Sequence, residues 1–200
     1  NVIWIISDQL RGQALGCMGD PNLETPHLDR LAGAGTTGIA GCPLCTPFRG
    51  SLLTSRYLHE CCPGHDRAMP DGLPTVATAF RDAGYRTAYF GKWHVDGRKY
   101  RDDATRSGHQ FVQPERRGDF DLWLGYENNN AQWDCWLHGH DLGGDSVDLF
   151  KLPKYETDAM TDLFVDFIEE RGAEQREKST TPFFAVMSVQ PPHDPYLAPE

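Results

Sequence analysis

The stretch "NVIWIISD" (residues 1–8) is an apolar run that ends in a carboxylate. Apolar side chains, several of them β-branched, occupy both alternating faces, which is typical of a parallel strand buried on both sides. "RTAYFGK" (86–92) and "PFFAVMSVQ" (182–190) have a similar character. We therefore expect three core strands of one sheet, with the first and the last fully buried.

Four segments outside these strands show sequence features of helices. A proline or a capping residue stands near the start of a segment, and apolar residues recur at helical spacing. The predicted helices are "TPHLDRLAGAG" (25–35), "PFRGSLLTSRYLHE" (47–60), "LPTVATAFRDAGY" (73–85) and "ETDAMTDLFVDFIEERG" (156–172). Leu28 and Leu31 are expected to face inward from the first helix. The last helix carries one apolar stripe, formed by Met160, Phe164, Phe167 and Ile168.

The remaining segments are less regular. "TTGIAGC" (36–42) is predicted to be a short strand, and residues 97–155 read as an irregular, insertion-like region with one strand at "FDLWLGY" (120–126). Strands that alternate with helices predict an α/β fold with a mainly parallel sheet sandwiched by helices. In such sheets, reactive groups gather beyond the carboxyl ends of the strands.

Composition excludes some functions. The 200 residues carry a net charge of −10, with 19 Lys and Arg against 29 Asp and Glu, which argues against nucleic acid as a partner. An anionic substrate remains compatible, because a local cluster of cations or a metal can override the overall charge. No apolar run approaches the ~20 residues of a membrane span.

Both ends of the sequence are abrupt. The chain starts directly in a core strand and stops in a loop, "PPHDPYLAPE" (191–200). We therefore expect residues 1–200 to be a piece of a longer protein, with further residues before Asn1 and after Glu200. The absence of a signal peptide is uninformative for such a piece.

Polar residues follow each predicted core strand. Asp8 and Gln9 come after the first and offer hard oxygen ligands for Ca²⁺ or Mg²⁺. Lys92 and His94 come at the end of the second; in an extended segment both would point to the same side, where they suit an oxyanion. His193 follows the third, between prolines that stiffen its loop. Taken singly, each residue is more often structural than functional.

Cys45 precedes a predicted helix that Pro47 opens, and Arg49 lies in the first turn. The helix dipole at that position attracts anions and lowers the pKa of a thiol. Cys42 and Cys45 also form a Cys-x-x-Cys pair, which would suit redox or zinc chemistry. That alternative leaves the residues at the strand ends unexplained, and the adjacent Cys61 and Cys62 are poorly spaced as a second zinc pair.

These residues together resemble the sulfatase family. "CTPFRGSLLTS" (45–55) is similar to its Cys-x-Pro-x-Arg signature, although Ser55 stands where glycine is usual. "GKWH" (91–94) resembles the second signature, "SDQ" (7–9) the amino-terminal metal motif, and "PPHDPY" (191–196) the segment with the substrate-side histidine. The resemblance implies an alkaline-phosphatase-like fold. It also implies that residues 1–200 are the amino-terminal portion of the catalytic domain, which is incomplete at the carboxyl-terminal side.

The resemblance also implies a mechanism. A maturation enzyme converts the cysteine, here Cys45, to formylglycine, whose hydrate attacks a sulfate ester and releases the alcohol. The second hydroxyl then loses its proton and the sulfate is eliminated. Ca²⁺, or Mg²⁺, assists.

The implied site residues fall into two sets. Asp8, Gln9 and residue 45 bind the metal. Arg49 and Lys92 stabilise formylglycine and sulfate, His94 takes the proton, and His193 contacts the sulfate and the leaving oxygen. The other metal ligands and a substrate-side lysine are expected in the carboxyl-terminal half.

The substrate is left open by the sequence. A sulfated carbohydrate is favoured over an aryl sulfate, and Trp133 and Trp136 lie in a polar loop that suits either sugar stacking or anchoring to the core. Two alternatives remain: a phosphonate or phosphate ester hydrolase of the same superfamily, and a non-catalytic binder with unmodified Cys45. The cellular location is also open, with a periplasmic or extracellular one favoured by the resemblance.

Overall fold

The computed structural model describes residues 1–33, 38–97, 107–177 and 181–199. Within them, one sheet contains the strands β1 (Val2–Ser7), β2 (Arg86–Lys92), β3 (Leu122–Tyr126), β4 (Trp136–His140), β5 (Ser146–Lys151) and β6 (Phe183–Val189). The α-helices are α1 (Pro26–Ala32), α2 (Cys45–Thr54), α3 (Leu58–Cys61), α4 (Val76–Asp82) and α5 (Glu156–Glu177).

The sheet has the strand order β1-β6-β2-β3-β4-β5. The first four strands in this order are parallel, and β4 and β5 continue the sheet in antiparallel pairing. The three core strands predicted from the sequence are therefore neighbours, with their carboxyl ends at one edge. The predicted mainly parallel α/β fold is confirmed.

Helices cover both faces of the sheet. On one face α5 packs Met160, Phe164 and Phe167 against side chains of β2 and β6, as its apolar stripe predicts. On the other face Phe80 of α4 stacks on Phe184 of β6, with the ring centroids 4.2 Å apart. β6 lies between these two cores and is buried along its whole length, as its sequence predicts.

The prediction of full burial is wrong for β1. This strand lies at the edge of the sheet, and its side chains alternate between the two faces. Trp4 packs against Phe184, whereas Ile3 and Ile5 are 44% and 65% exposed. Within the described residues only one core covers β1, and periodicity alone does not report what packs on the second face.

The inward orientation predicted for α1 is also wrong. Leu28 and Leu31 are exposed. The helix begins at Pro26, as predicted, and hydrogen bonds hold it to the loop before it: Thr25 Oγ1 accepts from Gly16 N (2.8 Å), and Asp29 Oδ1 accepts from Cys17 N (2.9 Å). Polar contacts therefore anchor α1 where the sequence pattern suggested an apolar stripe.

Two other boundaries differ from the sequence analysis. Residues 38–42 contain no strand, and residues 34–37 of the predicted strand lie outside the described residues. The helix predicted from Pro47 begins two residues earlier, at Cys45, and ends at Thr54, because Ser55 adopts a left-handed conformation (φ 55°). Cys45 is therefore the first residue of α2 itself.

The segment predicted to be irregular, 97–155, holds three strands where the sequence suggested one; its residues 98–106 lie outside the described part of the chain. β3 is confirmed, but β4 and β5 were missed. β4 contains polar residues that are buried, such as His138, and β5 keeps most of its side chains exposed. β4 lacks the apolar alternation on which a prediction from sequence depends, and in β5 the alternation extends only from Ser146 to Leu149.

Gly91 allows β2 and β6 to approach each other just before the strand end. Its φ is +103°, and a Cβ at this position would overlap the carbonyl oxygen of Ser188. We expect Gly91→Ala to lower the free energy of unfolding by about 3 kcal/mol or more, since both backbone strain and overlap oppose it. Denaturant unfolding measures this, and Gly12→Ala, with open space around the added atom, serves as the control.

Candidate active site

The edge where the parallel strands end brings together three polar side chains. Asp8 directly follows β1, and its N–H donates to the carbonyl oxygen of Val189 (3.1 Å). Lys92, the last residue of β2, places its Nζ 2.5 Å from Asp8 Oδ2. Cys45 at the start of α2 places its Sγ 3.7 Å from the same oxygen. A carboxylate, a cation and a thiol thus meet although up to 84 residues separate them.

Arg49 lies one turn further along α2 and is 2% exposed. Its Nη1 donates to the carbonyl oxygen of Lys92 and to Ser188 Oγ, both at 2.7 Å, and its Nη2 lies 3.8 Å from Asp8 Oδ2. The guanidinium therefore joins α2 to β2 and β6 and holds the helix start over the strand ends. Loss of one partner of a buried pair of this kind costs about 3–5 kcal/mol.

The cations determine the charge state of Asp8. Burial by itself would raise the pKa of the carboxyl, but the charges of Arg49 and Lys92 outweigh it and hold the pKa below its ordinary value. Asp8 is therefore a carboxylate at neutral pH. One negative charge faces two positive ones, so this group of residues has a net positive charge.

The pKa of the Cys45 thiol is raised, whereas the sequence predicted a lowered one. Burial and the neighbouring carboxylate of Asp8 raise its pKa, and this outweighs the opposing effects of Lys92 and Arg49. The expectation that the helix start lowers the thiol pKa is therefore wrong for the net shift. A protonated thiol is a weak nucleophile.

A cleft with a volume of about 630 Å³ opens beside Cys45. Asp8, Gln9, Cys42 and His193 also line it. The ligating atoms of Asp8, Cys45 and His193 all lie within 4.8 Å of one another, and Gln9 is exposed. The strand ends and the helix start therefore bring Asp8, Gln9, Cys45 and His193 to one cleft.

His94 takes a different position from the predicted one. β2 ends at Lys92, and His94 has a φ of +53°, so the extended geometry that would align the two side chains is absent. His94 is 3% exposed, and its Nε2 lies 3.3 Å from Asp66 Oδ1. Burial, together with Lys92 and Arg49, lowers the pKa of His94 to about 3, which keeps the imidazole neutral at neutral pH. Its Nδ1 is buried without a hydrogen-bond partner among the described residues.

Several residues that support the site carried no signal in the sequence. Glu127, directly after β3, accepts hydrogen bonds from the N–H of Asp96 on both carboxylate oxygens (3.1 Å). Asp96 in turn pairs with Arg116 (2.6 Å). These contacts fix the loop that carries His94. Asp66 and Ser188 were missed as well, because a lone Asp in a loop and a Ser within an apolar strand have no distinctive spacing.

A divalent cation fits part of this site. Asp8 Oδ1 accepts no hydrogen bond from the described residues, and the Gln9 carboxamide is available at the same cleft. Both are hard oxygen donors of the kind that Ca²⁺ and Mg²⁺ prefer. The sulfur of Cys45 is a soft donor and fits poorly, whereas an oxygen at the same position would fit well.

A comparison with protein-family models identifies the family of this chain. The model for sulfatases matches residues 1–200. This chain belongs to the sulfatase family. The sheet with its helices is accordingly the alkaline-phosphatase-like fold that the sequence motifs implied, and the chain is a partial domain of it.

Relatives and solved structures agree with this membership. The chain is 36% identical over 210 residues to the ulvan-active sulfatase of Formosa agariphila, with 98% of this chain and 36% of the relative covered. The crystal structure of YidJ from Bacteroides fragilis, described as a sulfatase, matches with a TM-score of 0.81 and 27% identity, covering 100% of this chain and 46% of that one. A third structure, solved with its substrate D-glucosamine-2-N,6-O-disulfate, matches with a TM-score of 0.70 and 26% identity, covering 98% and 35%. The chain thus spans less than half the length of each of these three proteins.

Two further observations concern the redox or zinc alternative for the cysteines and the presence of membrane spans. All six cysteines lie in the described part of the chain and are free thiols, and Cys42 belongs to none of the candidate metal-binding groups found there. Among the described helices, none is both long and apolar enough to cross a membrane.

The influence of Asp8 on Cys45 is testable by alkylation. In protein produced without maturation, Asp8→Asn removes the charge that raises the thiol pKa, while Lys92 and Arg49 continue to lower it. The rate of reaction of Cys45 with iodoacetamide near pH 8 should rise by up to about tenfold for each unit by which the pKa falls. Peptide mass spectrometry resolves Cys45 from the other thiols. Asp20→Asn is the control, and equal rates in both variants would contradict the effect.

Glu127 should make the stability depend on pH. Burial raises its pKa from 4.5 to about 8. Its contribution to stability is fully present below about pH 4.5, where both folded and unfolded forms are protonated, and is lost as the pH rises to about 8. Between these values Glu127→Gln should remove a decline of up to about 1.4 kcal/mol per pH unit in the free energy of unfolding. Urea unfolding at several pH values measures it, and the exposed Glu169 provides Glu169→Gln as the control.

Proposed function

We propose that the protein hydrolyses sulfate esters, with residue 45 as the nucleophile after conversion of Cys45 to formylglycine. The observation that carries this proposal is the position of Cys45: its Sγ lies against a buried carboxylate that two buried cations hold. The raised pKa makes the unmodified thiol a weak nucleophile, so hydrolysis at this position calls for a different group. The proposal includes a maturation enzyme as a partner of the chain.

A divalent metal, Ca²⁺ or else Mg²⁺, completes the proposal. Asp8, Gln9 and the oxygen of modified residue 45 would hold it, together with ligands from outside residues 1–200. When bound, the metal neutralises charge on the sulfate oxygens and makes a coordinated hydroxyl more acidic. The low pKa of Asp8 suits this role, because the carboxylate remains ionised at neutral pH.

The cations would bind the sulfate group. Lys92 and Arg49 are buried at the carboxyl edge of the sheet, and their geometry is fixed by Asp8, Ser188 and the backbone. Donors that are already in place stabilise charge that develops in the transition state without the cost of reorganisation. Arg49 also keeps the start of α2, and with it residue 45, in a constant position relative to these charges.

The two histidines would handle protons. The buried Nδ1 of His94 has no partner among the described residues, so we assign to it the acceptance of the proton from the second hydroxyl. His193 lines the cleft on the side of Asp8 and Cys45, where it can contact the sulfate and, in its doubly protonated form, donate the Nε2 proton to the leaving oxygen. Its Nδ1 lies 2.7 Å from the carbonyl oxygen of Asp194, which orients the ring and leaves Nε2 for the substrate.

A sulfated carbohydrate is the proposed substrate class. The relatives support it, since one acts on ulvan and one was solved with glucosamine disulfate as its substrate. The loop that follows β3 packs near the cleft: Gln132 Nε2 donates to the carbonyl oxygens of His193 and Pro195, both at 3.0 Å. The next residue, Trp133, is 49% exposed, so an aromatic face is available close to the histidine loop.

The test uses the full-length protein, produced with a formylglycine-generating enzyme. Mass spectrometry of the peptide around residue 45 should show a loss of about 18 Da, since the CH₂SH group becomes an aldehyde. Cys45→Ala should lower the rate of sulfate release from sulfated oligosaccharides by several orders of magnitude. Cys42→Ser should keep most of the activity, because it replaces a small thiol outside the ion cluster.

Three results would contradict the proposal. An unchanged peptide mass in an otherwise folded protein would favour a binder with unmodified Cys45. Equal losses from Cys45→Ala and Cys42→Ser would favour the redox or disulfide alternative. Faster hydrolysis of phosphonate or phosphate esters than of sulfate esters, measured in parallel, would favour the alternative of a phosphonate or phosphate ester hydrolase.

A further inference from the structure

A second cluster of metal-ligating side chains lies outside the group formed by Asp8, Cys45 and His193. It consists of His65, Asp66 and His94, whose ligating atoms all lie within 4.8 Å of one another. His65 and Asp66 belong to the loop between α3 and α4, and His94 follows β2. His65 also lines the cleft beside Cys45, so the cluster borders the proposed active site.

The distances within this cluster suit a metal better than they suit hydrogen bonds. Asp66 Oδ1 lies 3.3 Å from His94 Nε2 and 3.5 Å from His65 Nε2. Good N–H···O hydrogen bonds are shorter, at about 2.7–3.2 Å. Tetrahedral Zn²⁺, with bonds of about 2.0–2.2 Å to nitrogen and oxygen, places neighbouring ligand atoms about 3.3–3.5 Å apart. Both distances from Asp66 Oδ1 to the imidazole nitrogens therefore match the separation of two ligand atoms bound to the same tetrahedral Zn²⁺ ion.

The three residues also differ in rigidity in a way that permits binding. His94 is 3% exposed and held in a buried loop. The side chain of His65 is 52% exposed, so its ring can rotate to bring its nitrogen closer to that of His94. Asp66 is one-third exposed, which leaves an approach for the ion from solvent.

We propose that His65, Asp66 and His94 form a binding site for Zn²⁺ or a similar transition-metal ion. Two imidazoles and one carboxylate form one of the donor sets that bind zinc in proteins, whereas Ca²⁺ and Mg²⁺ prefer oxygen donors alone. The chain therefore offers two neighbouring sites of different selectivity: oxygen donors at Asp8 and Gln9, and a nitrogen-rich set at His65, Asp66 and His94. With three protein ligands, a coordination position remains for water.

The occupied site would switch off hydrolysis, an inference that rests on the proposed role of His94. A metal on Nε2 leaves the single proton of the neutral ring on Nδ1. Neither nitrogen can then accept a proton from residue 45, so zinc should inhibit without displacing substrate. The nearby charges of Lys92 and Arg49 oppose a cation here, but Asp8 and Asp66 each contribute a negative charge that offsets them.

Binding is tested in full-length protein carrying Cys45→Ala, which removes the thiol beside Asp8, in the presence of excess Ca²⁺. Titration with Co²⁺ should produce the intense visible absorption of a tetrahedral site, and Zn²⁺ should abolish it. His65→Ala should raise the dissociation constant for Zn²⁺ by about tenfold or more, since it removes one of three ligands. Asp66→Asn, which keeps a residue that tolerates the left-handed backbone, should also weaken binding.

The matched control is His59→Ala, because His59 is an exposed histidine on α3 that belongs to neither cluster. It should leave the affinity for Zn²⁺ unchanged. Equal affinities in the His65→Ala and His59→Ala proteins, or displacement of Co²⁺ by Ca²⁺, would overturn the site. The spectra decide this point whether or not the protein hydrolyses sulfate esters.

Inhibition is tested separately in matured protein, with each variant compared with its own zinc-free rate. The inhibition constant for Zn²⁺ should rise in His65→Ala by the same factor as the dissociation constant. Inhibition of His65→Ala at the zinc concentration that inhibits the unaltered protein would overturn the link to His94. Absence of turnover in zinc-free matured protein would contradict the proposed function, while the spectra would still decide the metal site.

Discussion

The carboxylate of Asp8 is shared by two buried cations, and the geometry of the site depends on this contact. Lys92 ends one core strand, Asp8 follows another, and Arg49 belongs to the helix that starts at Cys45. A buried charge is costly unless it is paired, so each of these side chains restricts the others. The start of α2 is thereby fixed over the carboxyl edge of the sheet, next to the residue proposed to become the nucleophile.

Electrostatics in this region also bear on the proposed conversion of Cys45. The same carboxylate that holds the cations raises the pKa of the thiol. A site built to keep Asp8 ionised therefore keeps Cys45 protonated, and the two requirements conflict if the thiol is to attack. An oxygen group at residue 45 removes the conflict, since Asp8 and a bound metal would then act on it together.

The loop that carries His94 shows how the sheet serves the site beyond its core strands. Glu127, which follows β3, accepts hydrogen bonds from the backbone of this loop, and Asp96 within it pairs with Arg116. These residues lie in the segment that the sequence suggested to be irregular, or at its border. Its strands β3 to β5 extend the sheet, and its polar residues position a histidine that lies far away in sequence.

The sequence by itself determined the core strands, the helix α5 and the residues of the family signatures, because these depend on local periodicity and on fixed short spacings. Other features depended on what packs against each segment, which no local pattern records. They are the exposure of Ile3 and Ile5, the exposure of α1, and the formation of β4 and β5. The contact between Asp8 and Lys92, the left-handed conformation of His94 and its approach to Asp66 were likewise decided by the tertiary structure. Parallel pairing places strand ends from distant parts of the chain at one edge, and pKa values there follow from burial and neighbouring charges, which exist only once the chain has folded.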